Sequence, residues 1–138
     1  MKGTIKWREG MKFEAYSTSG HTIIMDAAPE VGGSNQGPRP MELVLLALGG
    51  CTAMDVISIL KKMRKEIESF EIKLEAERAE EHPKVFTNIK VLYTLKGKNL
   101  KEAEVERAMN LSKDKYCSVG RMLNKVAKLA YQFLILNS

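Results

Sequence analysis

A chain of 138 residues, 44% hydrophobic and 28% charged, has the composition of a folded globular protein, which sets aside disordered, fibrous and solenoid architectures. Its net charge of +5 is dispersed among interleaved lysines and glutamates with no single basic stripe, so no nucleic-acid surface is expected. The two cysteines, Cys51 and Cys117, stand 66 residues apart, too far for a metal-chelating knuckle or a CxxC redox pair. The length fits one domain over residues 1–138, burying roughly two thirds of the surface that the unfolded chain exposes. The opening residues Met1 to Glu9 lack the apolar run of a signal peptide, which points to the cytoplasm and to thiols that start out reduced.

From Thr4 to Asp26, Ile5 and Trp7, then Phe13 and Ala15, then Ile23 and Met25 recur at period two, with turn signals at Glu9-Gly10 and Ser19-Gly20. This predicts three short antiparallel strands. Pro29, Gly32, Gly33, Asn35, Gly37 and Pro38 make Ala27 to Arg39 a flexible loop, of the kind that often serves as a lid. A helix is predicted from Pro40 to about Lys65, proline being favoured in a first turn and Lys61, Lys62, Arg64 and Lys65 suiting the negative end of the dipole. Its front half is apolar almost all round and is expected to be buried on every side. Gly49, Gly50, Thr52, Asp55 and Ser58 interrupt it, leaving less than the roughly 20 apolar residues of a bilayer span.

Phe70, Ile72, Leu74 and Ala76 alternate with Glu71, Lys73, Glu75 and Glu77, and the run Val85 to Leu95 repeats the pattern, which predicts a long hairpin with one wet face. Asn99 as N-cap with Glu102 three residues on predicts a helix to about Ser112. Cys117 and Ser118 precede a further short helix, and Tyr131, Phe133 and Ile135 end the chain on a strand. The fold class is α+β, an antiparallel sheet packed on a long central helix. A helix too apolar for one sheet to cover implies a second sheet from a partner chain, hence a two-fold homodimer.

The candidate chemistry lies in the thiols. Cys51 follows two helix glycines that each cost on the order of 1 kcal/mol relative to alanine, and Cys117 stands at a helix start, where unpaired N–H groups favour a thiolate. If the two meet, one attacks a peroxide O–O bond and the other condenses with the resulting sulfenic acid to a disulfide. Close helix packing with Cys51 as a small buried hydrophobe is the plainer alternative. A cation is expected near Cys51, from Arg39, Arg8 or Arg121, with Glu42 either orienting it or serving as a first-turn acid. Asp55, four residues after Cys51, reads as structural. His21 and His82 are too scattered for a metal centre, and a zinc site from Cys51, Cys117 and His21 is not expected.

The segments Gly37-Pro38-Arg39-Pro40-Met41-Glu42-Leu43, Leu48-Gly49-Gly50-Cys51-Thr52-Ala53-Met54-Asp55-Val56 and Lys115-Tyr116-Cys117-Ser118-Val119 resemble the OsmC/Ohr family, and within it the YhfA-like branch. The resemblance runs essentially the whole chain. It implies an intertwined homodimer with interfacial sites, Cys51 as the peroxidatic and Cys117 as the resolving cysteine, organic hydroperoxides as substrates and an external dithiol as reductant, with no metal or cofactor and no membrane. The family's glutamate directly follows the helix proline, where this chain has Met41. Glu42 and Arg39 are therefore the substitutes offered for the glutamate and arginine that attend the thiolate. A redox-sensing or small-ligand-binding dimer without efficient turnover is the alternative.

Overall fold

In the computed structural model, which describes residues 1–137, the N-terminal alternation becomes β1 (Gly3–Glu9), β2 (Lys12–Ser17) and β3 (Thr22–Met25) in one antiparallel sheet. The register sets Trp7 opposite Phe13 and Phe13 opposite Met25. The backbone groups into two compact units, Met1–Val44 and a second that begins at Leu45, and this sheet belongs to the first. Ile5 and Trp7 are 59% and 65% exposed, so the chain alone leaves part of the sheet's apolar surface uncovered.

The loop after β3 is not the flexible segment its composition predicts. Asp26, buried, accepts hydrogen bonds from the backbone N–H groups of Ala27 (2.7 Å), Ser34 (3.2 Å) and Gln36 (3.1 Å). Burial pushes its carboxyl upward, but these three donors outweigh burial and hold it below the ordinary carboxylate value. The glycines serve close approach: a Cβ on Gly33 would lie 1.9 Å from the Ala27 carbonyl oxygen, and one on Gly37 2.4 Å from that of Ile24. Glycine and proline here build a folded turn, with a short 3₁₀ turn at Pro29–Val31.

Helix α1 (Pro40–Lys62) starts where the proline predicts. It ends three residues short of the predicted Lys65, because Arg64 takes the left-handed conformation (φ 59°) and the N–H of Lys65 reaches back to the Leu60 carbonyl. That Schellman closure usually carries glycine, and an arginine in its place gives no sequence signal. Nor is α1 buried all round within the chain. Leu48, Thr52, Val56 and Leu60, at helical spacing, are buried, while Leu46 and Met54 are 58% and 76% exposed. It is long and apolar enough by length and composition to cross a bilayer, but its buried face packs on protein, as the approach of Gly49 to Leu74 shows.

In the second unit β4 (Ile67–Arg78) and β5 (Phe86–Gly97) form the predicted antiparallel hairpin, and β6 (Lys128–Asn137) adds to β5 in parallel. The sheet is thus mixed, not antiparallel throughout. The intervening helices α2 (Glu102–Leu111) and α3 (Ser118–Leu123) supply the crossover that a parallel partner requires. Helix α2 begins two residues later than predicted, since Lys101 is the N-cap, its N–H bonded to Glu104, while Asn99 turns through φ 54°. Ile89, Val91, Tyr93 and Leu95 from β5 are buried with Leu48, Val56 and Leu60 of α1 and Val105 and Ala108 of α2. Complete burial of each of the larger aliphatic side chains contributes about 1.5–3 kcal/mol. The fold class is α+β.

Candidate active site

Gly49, Cys51, Thr52 and Asp55 share one stretch of α1. A Cβ on Gly49 would come 2.7 Å from Leu74 Cδ1, so this glycine lets the helix settle close to β4. Gly50 has open space where a Cβ would stand, so packing within the chain accounts for one glycine of the pair and not the other. Cys51, one residue on, is half-buried.

Cys117 arrives from the far end of the crossover. The last turn of α2 widens into a π-turn over Ser112–Tyr116, and Cys117 then caps α3, its N–H bonded to the Ser112 carbonyl (2.8 Å) and its Sγ accepting from the Gly120 N–H (3.3 Å). Gly120 has no room for a side chain, a Cβ there meeting Cys117 Sγ at 3.2 Å and the Tyr131 hydroxyl at 3.3 Å. The fold thereby brings Cys51 Sγ, Cys117 Sγ and a carboxylate oxygen of Asp55 within 4.8 Å of one another.

A chain of hydroxyls backs this cluster. Tyr93 bonds Thr52 (2.6 Å), Thr52 bonds Ser112 (2.8 Å), and Ser112 donates to Asp55 Oδ2 (2.8 Å). Tyr93, Thr52 and Ser112 are fully buried. The ring of Tyr93 stacks between Phe70 and Tyr131, with centroids 6.1 and 6.3 Å away. Asp55 thus holds a fixed orientation beside two sulfurs, on the face of α1 that its spacing from Cys51 gives it, and bonded to a hydroxyl that the sequence reading did not include. The available signals were a threonine and an aspartate on an otherwise apolar helix, and a tyrosine on the core face of β5 whose hydroxyl needs a partner. Ser112 offers no such signal, since only the π-turn aims it at Asp55.

Helix capping does not make Cys117 a thiolate, contrary to the sequence expectation. Burial, the largest influence, pushes its thiol well above the ordinary value, Cys51 and Asp55 push the same way, and the Gly120 N–H alone opposes them. Cys117 thus holds its proton more tightly than an ordinary thiol. Burial likewise raises the Tyr131 hydroxyl to about 12, with the neighbouring Cys117 adding to it.

The other sequence candidates have partners of their own. In the first unit the Arg39 guanidinium donates to Asn35 Oδ1 (2.6 Å) and the Gly37 carbonyl (3.2 Å). Glu42 accepts from the Arg39 backbone N–H (2.8 Å), acting as a first-turn acid and not as a clamp on that guanidinium. Arg8 pairs with Glu14 and Tyr16 on the first sheet. Arg121, in the second unit, donates to the Asp114 carbonyl (2.9 Å). His21 Nδ1 lies 3.0 Å from Ser19 Oγ in the first unit, and His82 sits in the β4–β5 turn. The third potential ligand beside the cysteines is therefore Asp55. A cleft of about 370 Å³ reaches Asp55 between α1 and α2, lined also by Ile59, Lys62, Arg107, Leu111 and Tyr116.

The description OsmC-like protein matches residues 33–132 of the chain. The chain belongs to the OsmC family. It is 44% identical to Protein YhfA of Escherichia coli over 133 residues, which cover 96% of each protein. Among solved structures it resembles a protein of Aquifex aeolicus at 31% identity and a TM-score of 0.87, covering 99% of this chain and 96% of that one. The fold also matches the organic hydroperoxide resistance protein OhrB of Bacillus subtilis, at 16% identity and a TM-score of 0.64, over 97% and 98% of the two chains.

Proposed function

We propose that the protein is a thiol-dependent peroxidase that reduces organic hydroperoxides. The observation that carries this reading is the meeting of the two sulfurs with one carboxylate inside 4.8 Å. Half-buried Cys51 is the thiol that a peroxide can reach, while Cys117 is 3% exposed. The Cys51 sulfur attacks the terminal peroxide oxygen, the O–O bond breaks, the alcohol leaves with a proton, and the sulfur becomes a sulfenic acid. The Cys117 sulfur then attacks that of Cys51, the S–O bond breaks, and hydroxide leaves as water with the proton of Cys117. Because burial tightens the hold of Cys117 on its proton, a base assists this second step, and Asp55, oriented by Ser112, takes the proton and passes it to the departing hydroxide. A dithiol reductant from the cytoplasm restores both thiols.

A disulfide of about 2.0 Å is formed from sulfurs that lie within 4.8 Å of one another. Arg39 and Glu42 take no part in these steps: in the first unit the Arg39 guanidinium is held by Asn35 and the Gly37 carbonyl, and Glu42 accepts from the Arg39 backbone N–H. The uncovered apolar residues of β1 and α1 support a homodimer, to be read from the mass in solution by light scattering. The comparison with the OhrB neighbour, named for organic hydroperoxide resistance, supports the substrate class.

Steady-state turnover of cumene hydroperoxide with dithiothreitol tests the reading. Wild type should turn over, Cys51→Ser should match the protein-free rate, and Cys117→Ser, oxidised once the dithiothreitol has been removed, should retain a sulfenic acid on Cys51. A wild type no faster than Cys51→Ser contradicts the enzyme, and a stoichiometric disulfide without turnover indicates a redox sensor.

A further inference from the structure

We propose that the reduced site is also a metal site: Cys51 Sγ, Cys117 Sγ and an Asp55 carboxylate oxygen together hold one thiophilic divalent cation of the zinc class, and its presence and a disulfide exclude one another.

The donor geometry comes first. With Zn–S near 2.3 Å and Zn–O near 2.0–2.2 Å, two ligands of a tetrahedral zinc lie about 3.5–3.8 Å apart. The three donors already lie within 4.8 Å of one another, so no pair has to close by more than about 1.3 Å to reach that spacing. Two of them, Cys51 and Asp55, are one helical turn apart on α1, and the third is fixed by the cap of α3, so rigid elements present all three.

The outer contacts are those of a ligand set. Ser112 donates to Asp55 Oδ2 and leaves the other carboxylate oxygen uncommitted to that bond, and the Gly120 N–H is aimed at Cys117 Sγ. Such contacts orient ligands and steady a thiolate. The half-exposure of Cys51 gives a cation access. Two sulfurs select a borderline-soft ion over magnesium or calcium. Three protein ligands leave one tetrahedral position open, the pattern of an exchangeable site and not of a closed structural one.

The chemistry balances simply. Capture of the dication by the dithiol form releases the two thiol protons, with no change of oxidation state. A disulfide has no thiolate to offer, so oxidation of the pair expels the ion, and a bound ion withholds both sulfurs from peroxide. The site needs only reduced thiols, so it stands or falls apart from peroxide turnover.

The test is a titration of the full-length, chelator-treated protein with cobalt(II) under a phosphine reductant. The wild type should develop a thiolate-to-cobalt charge-transfer band that saturates at one cobalt per chain and collapses when zinc(II) is added. Cys51→Ser or Cys117→Ser should lose most of the band. Asp55→Asn should keep the band but bind cobalt more weakly, the direct carboxylate ligand being lost, with circular dichroism verifying the fold of each variant. Independently of any variant, one equivalent of zinc(II) should slow alkylation of both cysteines in the wild type, and chelator should restore it. Absence of the band in the wild type, a band unchanged by Cys117→Ser, unchanged affinity in Asp55→Asn, or unprotected thiols overturns the site. Turnover of cumene hydroperoxide by the metal-free protein is measured alongside. Turnover without cobalt binding removes the metal site alone, and cobalt binding without turnover removes the peroxidase alone.

Discussion

Two aspartates, one in each unit, show how the same side chain becomes scaffold in one place and chemistry in another. Asp26 receives three backbone N–H groups of its own loop, which hold its carboxyl below the usual range against the opposing pull of burial. Its charge is fully engaged and nothing is left to exchange. Asp55 receives one hydroxyl, from Ser112, and otherwise faces two sulfurs. The surroundings differ in the same sense: Gly33 and Gly37 of the Asp26 loop are pressed against backbone, while Gly50, next to Cys51 in the sequence, faces open space. A carboxylate ringed by fixed donors stores stability, and the proposed proton-moving role falls to one with a single hydroxyl donor and two sulfurs beside it.

That contrast is most sharply tested by converting each acid to its amide. Asp55→Asn should slow disulfide formation after a single peroxide addition by about a hundredfold, the lower end for loss of a general base, because removing the negative charge also eases ionisation of Cys117. Stopped-flow oxidation followed by thiol counting measures this, and an unchanged rate would reduce Asp55 to a structural acid. Next in size, Thr52→Val removes the hydroxyl that links Tyr93 to Ser112 and leaves the buried Tyr93 hydroxyl without that partner, at a cost of about 1–3 kcal/mol in urea denaturation.

Asp26→Asn should act on stability more than on turnover. The folded Asp26 carboxyl titrates below its unfolded value of about 3.9, so its stabilisation is complete above that pH and is lost as pH falls through the lower folded value. The wild type should therefore lose stability across this acid window more steeply than Asp26→Asn, as read from thermal melts at stepped pH. Equal slopes would mean that the three N–H contacts do not favour the charged form. The smallest effect separates the glycines. Gly50→Ala should stabilise by up to about 1 kcal/mol through helix propensity, whereas Gly33→Ala should destabilise, since its Cβ would press on the Ala27 carbonyl. Equal shifts in melting temperature would contradict the contrast in room.

Much of this architecture is legible in the residues themselves. Period-two alternation marks β1 to β5, Pro40 marks the start of α1, and the company kept by Cys51 and Cys117 marks the site. What escapes the sequence depends on single conformations without a periodic signature. The end of α1 turns on Arg64 adopting a left-handed conformation where glycine is usual, and the parallel placement of β6 depends on how α2 and α3 return the chain. The Ala27 to Arg39 segment reads as flexible because glycine and proline are ambiguous between mobility and close packing, and only Asp26 decides between them. Likewise the hydroxyl chain from Tyr93 to Asp55 forms only once the π-turn at Ser112 is in place. The apolar girth of α1 reads as complete burial, whereas one chain covers a single face.

The most direct measurement is mass spectrometry of the reduced wild type after one equivalent of cumene hydroperoxide. The account predicts loss of two hydrogens from the intact chain and a single cross-linked peptide pair joining Cys51 to Cys117. Over-oxidation of Cys51 with Cys117 still a free thiol, at every time from milliseconds onward, would show that the two sulfurs do not act on one another.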